Sequence, residues 1–134
     1  MTRAIVYYQK FILRDDLKAN PRFLFVFGDN CQRDGFGGQA KEMRKEPNAF
    51  GIVTKWDMYH NQNSYFKDSD FDVSTKNLID EDFENLKKEM TTGYYLGIVI
   101  PIDGIGTGLA KLSENAPNTL LYIERKFTEL KGWL

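Results

Sequence analysis

A chain of 134 residues suits one domain, of a size that buries about two thirds of the surface its unfolded chain exposes. Its 18 Lys and Arg against 19 Asp and Glu leave a net charge of −1, without the basic surplus of a duplex-DNA binder, although a local patch is enough for a small anion. No long apolar segment and no N-terminal signal pattern is present, so the sequence reads as a cytoplasmic protein without membrane contact, and nothing in it sets an oligomeric state.

Ala4 to Tyr8 (AIVYY) is a β-rich run, and Gln9 to Leu13 extends it or forms a second strand piece. Arg14 to Asn20 reads as a turn or one helical turn, stopped by Pro21. Phe23 to Phe27 (FLFVF) carries no polar residue, as a central strand covered on both faces does, and it breaks at Gly28-Asp29-Asn30. A polar loop with Gly35, Gly37 and Gly38 follows, then a helix running to about Lys45 and ending before Pro47. Cys31, the only cysteine, excludes an internal disulfide and points to a reducing compartment. Its place in the glycine loop suits a thiol nucleophile, or a small residue packed at a strand end, which is the commoner case.

Ala49 to Thr54 (AFGIVT) is the next strand, followed by a long polar excursion, Trp56 to Phe71, with room for one short strand. Trp56, Tyr59, His60, Tyr65 and Phe66 in this excursion either stack on a base or, more commonly, pin the loop to the domain. Thr75 or Asp80 caps a helix that reaches about Thr91, with Ile79, Phe83, Leu86 and Met90 on one face, and Gly93 ends it. Leu96 to Ile100 (LGIVI) is a second buried strand, leading into Pro101-Ile102-Asp103-Gly104-Ile105-Gly106-Thr107-Gly108. The last helix spans about Pro117 to Leu130, with Ala116, Leu120, Ile123, Phe127 and Leu130 on the sheet side. Strands alternating with helices, with no repeat and no linker, give one three-layer α/β domain over 1–134.

Two loops share a design. Each follows an apolar strand, begins with an acidic residue, contains closely spaced glycines and leads towards helix-prone sequence. Glycines at the carboxyl end of a strand let backbone amides approach an oxyanion with no Cβ in the way, and two such loops face to face suit a diphosphate. Neither loop is a Walker motif, since GDGIGTG lacks the Gly-Lys-Ser/Thr ending, and GFGGQA only partly fits a dinucleotide fingerprint. ATP hydrolysis and hydride transfer are therefore disfavoured.

FVFGDNCQRDGFGGQAKEMR and IVIPIDGIGTGLAKL together resemble the macro domain family, whose members bind ADP-ribose and related nucleotides. The likeness runs across most of the chain and is nearest to the small divergent versions found in phages and bacteria. It implies a three-layer α/β/α domain with a central mixed sheet. It also implies that Asn30 lies by the distal ribose, that Gly35, Gly37 and Gly38 form the loop beside the diphosphate, and that Gly106, Thr107, Gly108 and Leu109 wrap the diphosphate. RDD at Arg14 to Asp16 lies where the family carries a Gly-Asp-Ile element, so the resemblance gives adenine recognition to Asp15 or Asp16. Gly28-Asp29 replaces the family's Ala-Ala before Asn30, and Ala110 stands where many members place an aromatic.

The candidate ligand-binding residues are thus Asp15, Asp16, Asp29, Asn30, Gly35, Gly37, Gly38, Gln39, Gly104, Ile105, Gly106, Thr107, Gly108 and Leu109. The amides of Gly37, Gly38 and Ile105 to Gly108 hold the diphosphate, Thr107 adds a hydroxyl donor, and Asp29 and Asn30 meet ribose hydroxyls. Asn30 and Asp103 are the candidate catalytic residues, with Asp29 and Asp34 as further candidate bases; Asp103 serves equally well as a turn-forming side chain. His60 is the usual base at neutral pH but sits in irregular sequence, and with no other histidine and no metal-ligand spacing neither metal nor cofactor is expected. Three functions compete: an ADP-ribosyl or ADP-ribose-phosphate hydrolase, a nucleotide sponge or sensor, and a structural protein-interaction domain.

Overall fold

The computed structural model describes residues 4–134, so the first three positions of the expected domain lie outside it. Four strands, β1 (Ile5–Gln9), β2 (Phe23–Asn30), β3 (Ala49–Lys55) and β4 (Gly97–Pro101), form one sheet in the order β1-β4-β2-β3. Every pairing is parallel, which corrects the mixed sheet expected from the resemblance. The reason lies in the connections. Each carries a helical segment: α1 (Arg14–Ala19) between β1 and β2, α2 (Ala40–Met43) between β2 and β3, and α3 (Lys76–Thr91) between β3 and β4. Crossovers of this kind return the chain to the end of the sheet at which it started. All four strands therefore deliver their carboxyl ends to one edge.

Side chains alternate across the strands and divide the core in two. Leu24 and Val26 of β2 and Ile98 and Ile100 of β4 pack with Ile79, Phe83 and Leu86 of α3 and with Ile123, Phe127 and Leu130 of α5 (Pro117–Trp133). Phe25, Phe27 and Val99 join Leu17 of α1 and Ala40 and Met43 of α2 in the second cluster. Pro117 stands in the first turn of α5, where its missing N–H costs no hydrogen bond. A single turn, α4 (Leu112–Asn115), precedes it and was not legible in the sequence. Among the described residues no helix is long and apolar enough to cross a membrane.

Several local expectations change. Gln9 to Leu13 forms no second strand piece: Phe11 takes a left-handed conformation, φ 55°, and the chain turns there into α1. β2 does not break at Gly28 but continues to Asn30, paired with β3 through Gly28↔Ile52 and Asp29↔Val53, with a register shift before Asn30↔Lys55. Asp80 caps nothing; it lies inside α3 and accepts from the Tyr122 hydroxyl. Thr75 occupies the cap position but makes no side-chain cap bond, because a wider π-type turn, Phe71–Thr75, already leads the helix in. In the 56–71 excursion Phe66 is fully buried and meets Trp56 edge to face at 4.8 Å, so these two rings pin the segment to the core.

Phe83 is fully buried and stacks edge to face on Phe127 at 5.0 Å, joining α3 to α5. Phe83→Ala is expected to lower unfolding stability by about 3–5 kcal/mol, as large-to-small changes at packed aromatic sites do, measured by urea denaturation.

Candidate functional site

Because β4 pairs directly with β2, the loops that leave their carboxyl ends are neighbours. The second loop lies against the end of β2, where a Cβ on Gly28 would stand 3.3 Å from the Gly106 amide nitrogen. Between them and the segment after β3 opens a cleft of about 410 Å³, walled by residues of both glycine loops together with Thr54, Lys55, Met58 and His60. This is the place at which parallel α/β sheets carry their ligands.

The first wall is built on a buried ion pair. Asp29, 5% exposed, lies 2.5 Å from the Arg44 guanidinium, with Arg33 a more distant second partner at 3.7 Å. The same guanidinium donates to the backbone carbonyls of Gly35 at 2.5 Å and Asp34 at 3.0 Å, and so folds the loop back onto β2. Asn30 completes the fold: its Nδ2 donates to the Asp34 carbonyl at 2.7 Å and its Oδ1 accepts from the Gln32 amide at 3.0 Å. With these carbonyls held, the amides of Gly35, Gly37 and Gly38 have no hydrogen-bond partner among the described residues. Gly35 (φ 87°) and Gly38 (φ 56°) need the left-handed backbone, whereas Gly37 does not. The helix that follows, α2, is a single turn, so the loop itself, more than a helix dipole, presents the donors.

The second wall is a tight coil. The amides of Lys111 and Leu112 donate to the Gly108 and Gly106 carbonyls at 3.1 and 3.0 Å, and Gly104 and Gly106 both adopt φ 80°. Gly106, Thr107, Gly108 and Leu109 keep amides with no partner among the described residues. The Thr107 hydroxyl is already engaged, donating to the Asp103 carbonyl at 3.2 Å. Leu109 reaches across the cleft, its Cδ1 3.1 Å from where a Cβ on Gly37 would sit.

The structure thus brings Asp29, Asn30, Gly35, Gly37, Gly38, Gln39, Gly104, Gly106, Thr107, Gly108 and Leu109 to one cleft, with Asp34 and Asp103 beside them. Three expected residues are not on its wall. Ile105 is 2% exposed, and its side chain anchors the loop in the core. Asp15 is exposed on α1 away from the cleft. Asp16 is tied up capping that helix, accepting from the Leu13 amide at 2.8 Å and from Gln9 Nε2 at 2.9 Å. The adenine role given to Asp15 or Asp16 is therefore not supported by their position. Sequence reasoning missed Arg44, Thr54, Lys55 and Met58 and gave His60 no place; the signal for the β3 side was its parallel pairing beside β2, visible only in the sheet. Among the described residues no cluster of three or more His, Cys, Asp or Glu side chains forms a metal site.

Residues 7–126 match a family of unknown function, DUF7831. The chain belongs to that family. The matched stretch contains β2, β3, β4 and every residue of the cleft wall. No curated protein and no solved structure matches it.

Arg44 and Cys31 each give an expectation. Arg44→Met leaves the Asp29 carboxylate buried without its close partner and is expected to cost about 3–5 kcal/mol in urea denaturation. Cys31 is not on the cleft wall; burial pushes its thiol from 9.0 up to about 11, against the opposing Arg33 charge. At pH 8 its thiolate fraction should be about a hundredfold below that of an ordinary thiol, so alkylation by iodoacetamide should be slow in the native protein and fast in urea.

Proposed function

We propose that the cleft binds the diphosphate of an ADP-ribose-type nucleotide. The observation that carries this reading is the convergence of unpartnered amides, from Gly35, Gly37 and Gly38 on one wall and Gly106 to Leu109 on the other, at the carboxyl edge of a parallel sheet. Unpartnered amides on two loops that line one cleft suit a group with several oxyanion acceptors. The macro domain resemblance supports the same ligand class, and the helices packed on both sheet faces support a macro-like three-layer arrangement; the all-parallel sheet is its departure from that pattern.

Binding without turnover is the reading we favour. Asp29 is neutralised by Arg44, and both ends of the Asn30 amide already hold the loop, so neither is free to activate water. One N–H and one lone pair of Asn30 remain for a ribose hydroxyl. A hydrolase is the second reading, carried by Asp103: its carboxylate is exposed on the cleft wall and makes no hydrogen bond or ion pair among the described residues.

Calorimetric titration with ADP-ribose, beside AMP, ATP and NAD, tests the proposal. Gly37→Glu and Gly108→Glu are the informative variants, because neither position has a positive φ and a side chain there meets at most the flexible end of Leu109. Saturable ADP-ribose binding to the wild type, weakened at least about tenfold by a glutamate on either wall, is the expected result. No binding of any of the four ligands sinks the nucleotide reading. Product analysis then separates the alternatives: release of a product that stops in Asp103→Asn, with binding retained, indicates a hydrolase.

A further inference from the structure

The β3 side of the cleft holds a cation that the glycine loops do not explain. Lys55, the last residue of β3, is 7% exposed and lies on the cleft wall. Its ammonium donates to the Tyr59 carbonyl at 2.7 Å and stands 5.1 Å from the centre of the Tyr65 ring. An ammonium has three donors, and the other two have no partner among the described residues. Neither Lys55 nor Lys111, whose ammonium lies 5.7 Å from the same ring, is in an ion pair with any described carboxylate. A lysine this buried is ordinarily paired.

We propose that Lys55 is the anion anchor of the cleft: its ammonium pairs with a phosphate or carboxylate group of the molecule that the two glycine loops hold, and Lys111 adds a second, outer positive charge. Burial lowers the pKa of Lys55, Asp57 opposes that shift and Lys111 adds to it. An anion in the cleft would relieve both the desolvation and the repulsion between the two lysines. The position also fits the topology, since Asn30 pairs with Lys55 across β2 and β3, and the Cys31 amide donates to the Lys55 carbonyl at 2.9 Å. The anchor is therefore fixed to the base of the first glycine loop. This inference rests on the reading above only in taking the cleft as the ligand site; it does not require that the ligand contain adenine.

The test titrates inorganic pyrophosphate, citrate and ADP-ribose into the wild type, Lys55→Met, Lys55→Gln, Lys55→Arg and Lys111→Met at two ionic strengths, after thermal melts confirm that each variant is folded. Pyrophosphate and citrate distinguish a phosphate from a carboxylate as the anchored group. Expected is saturable binding of at least one of them to the wild type, weakened about tenfold or more by Lys55→Met and by Lys55→Gln. Lys55→Arg should recover most of that loss, Lys111→Met should show a smaller one, and the neutral variants should lose much of the salt dependence, which a purely structural role of Lys55 would leave in place. Binding equal to wild type in a folded neutral variant overturns the anchor, as does a wild type that binds none of the three probes. The two readings fail separately. ADP-ribose binding that is lost in Gly37→Glu but kept in Lys55→Met removes the anchor and leaves the nucleotide proposal, whereas Lys55-dependent pyrophosphate binding without ADP-ribose binding does the reverse.

Discussion

The interaction on which the rest of the cleft depends is the buried pair of Asp29 and Arg44. A carboxylate at 5% exposure inside a strand is unfavourable unless it is both paired and hydrogen-bonded. Asp29 has both: Arg44 supplies the charge, and the Asn30 amide donates to its Oδ1 at 2.8 Å. Arg44 in turn holds the carbonyls of Asp34 and Gly35 and lies over the Phe27 ring, its guanidinium carbon 5.7 Å from the ring centre. One side chain thus joins β2, the glycine loop and the residue that closes α2, and the loop amides are left without a partner among the described residues.

Topology supplies the second constraint. In the order β1-β4-β2-β3 the strand that bears the first loop lies between the strand that bears the second and the strand that ends in Lys55. Three adjacent parallel strands therefore deliver two kinds of group to one cleft: amides from the loops of β2 and β4 and an ammonium from the end of β3. Cores on both faces hold this central strand rigid, with Leu24 and Val26 turned to one cluster and Phe25 and Phe27 to the other. A site fixed by packed strands loses little entropy on binding, because its donors are ordered before the ligand arrives.

Much of the fold was legible in the residues. The apolar runs FLFVF and LGIVI, the spacing of Ile79, Phe83, Leu86 and Met90, and the Pro117 start of the last helix each correspond to an element, to within a few residues. What the local pattern misread is informative. Gly28-Asp29-Asn30 reads as a loop because glycine and two polar residues disfavour a strand, yet β2 runs through them. The compensating groups, Arg44 and the β3 backbone, are remote in sequence or belong to another strand. Asp16, to which the resemblance offered adenine recognition, is instead taken up locally by the Leu13 amide and Gln9.

Composition, periodicity and the two glycine loops by themselves determined an α/β domain and the two stretches from which the cleft is made, because burial pattern and backbone freedom are local properties of a chain. Strand direction and order, and with them the meeting of the loops, were decided only by the tertiary structure, since pairing joins residues that no short window contains. The same holds for charge. The sequence offers 18 basic side chains of equal standing; only the fold neutralises Arg44 against Asp29 and buries Lys55 outside any ion pair among the described residues. Whether a charge is spent inside the protein or left for a ligand depends on distances of a few ångströms between distant segments, and those exist only once the chain has folded.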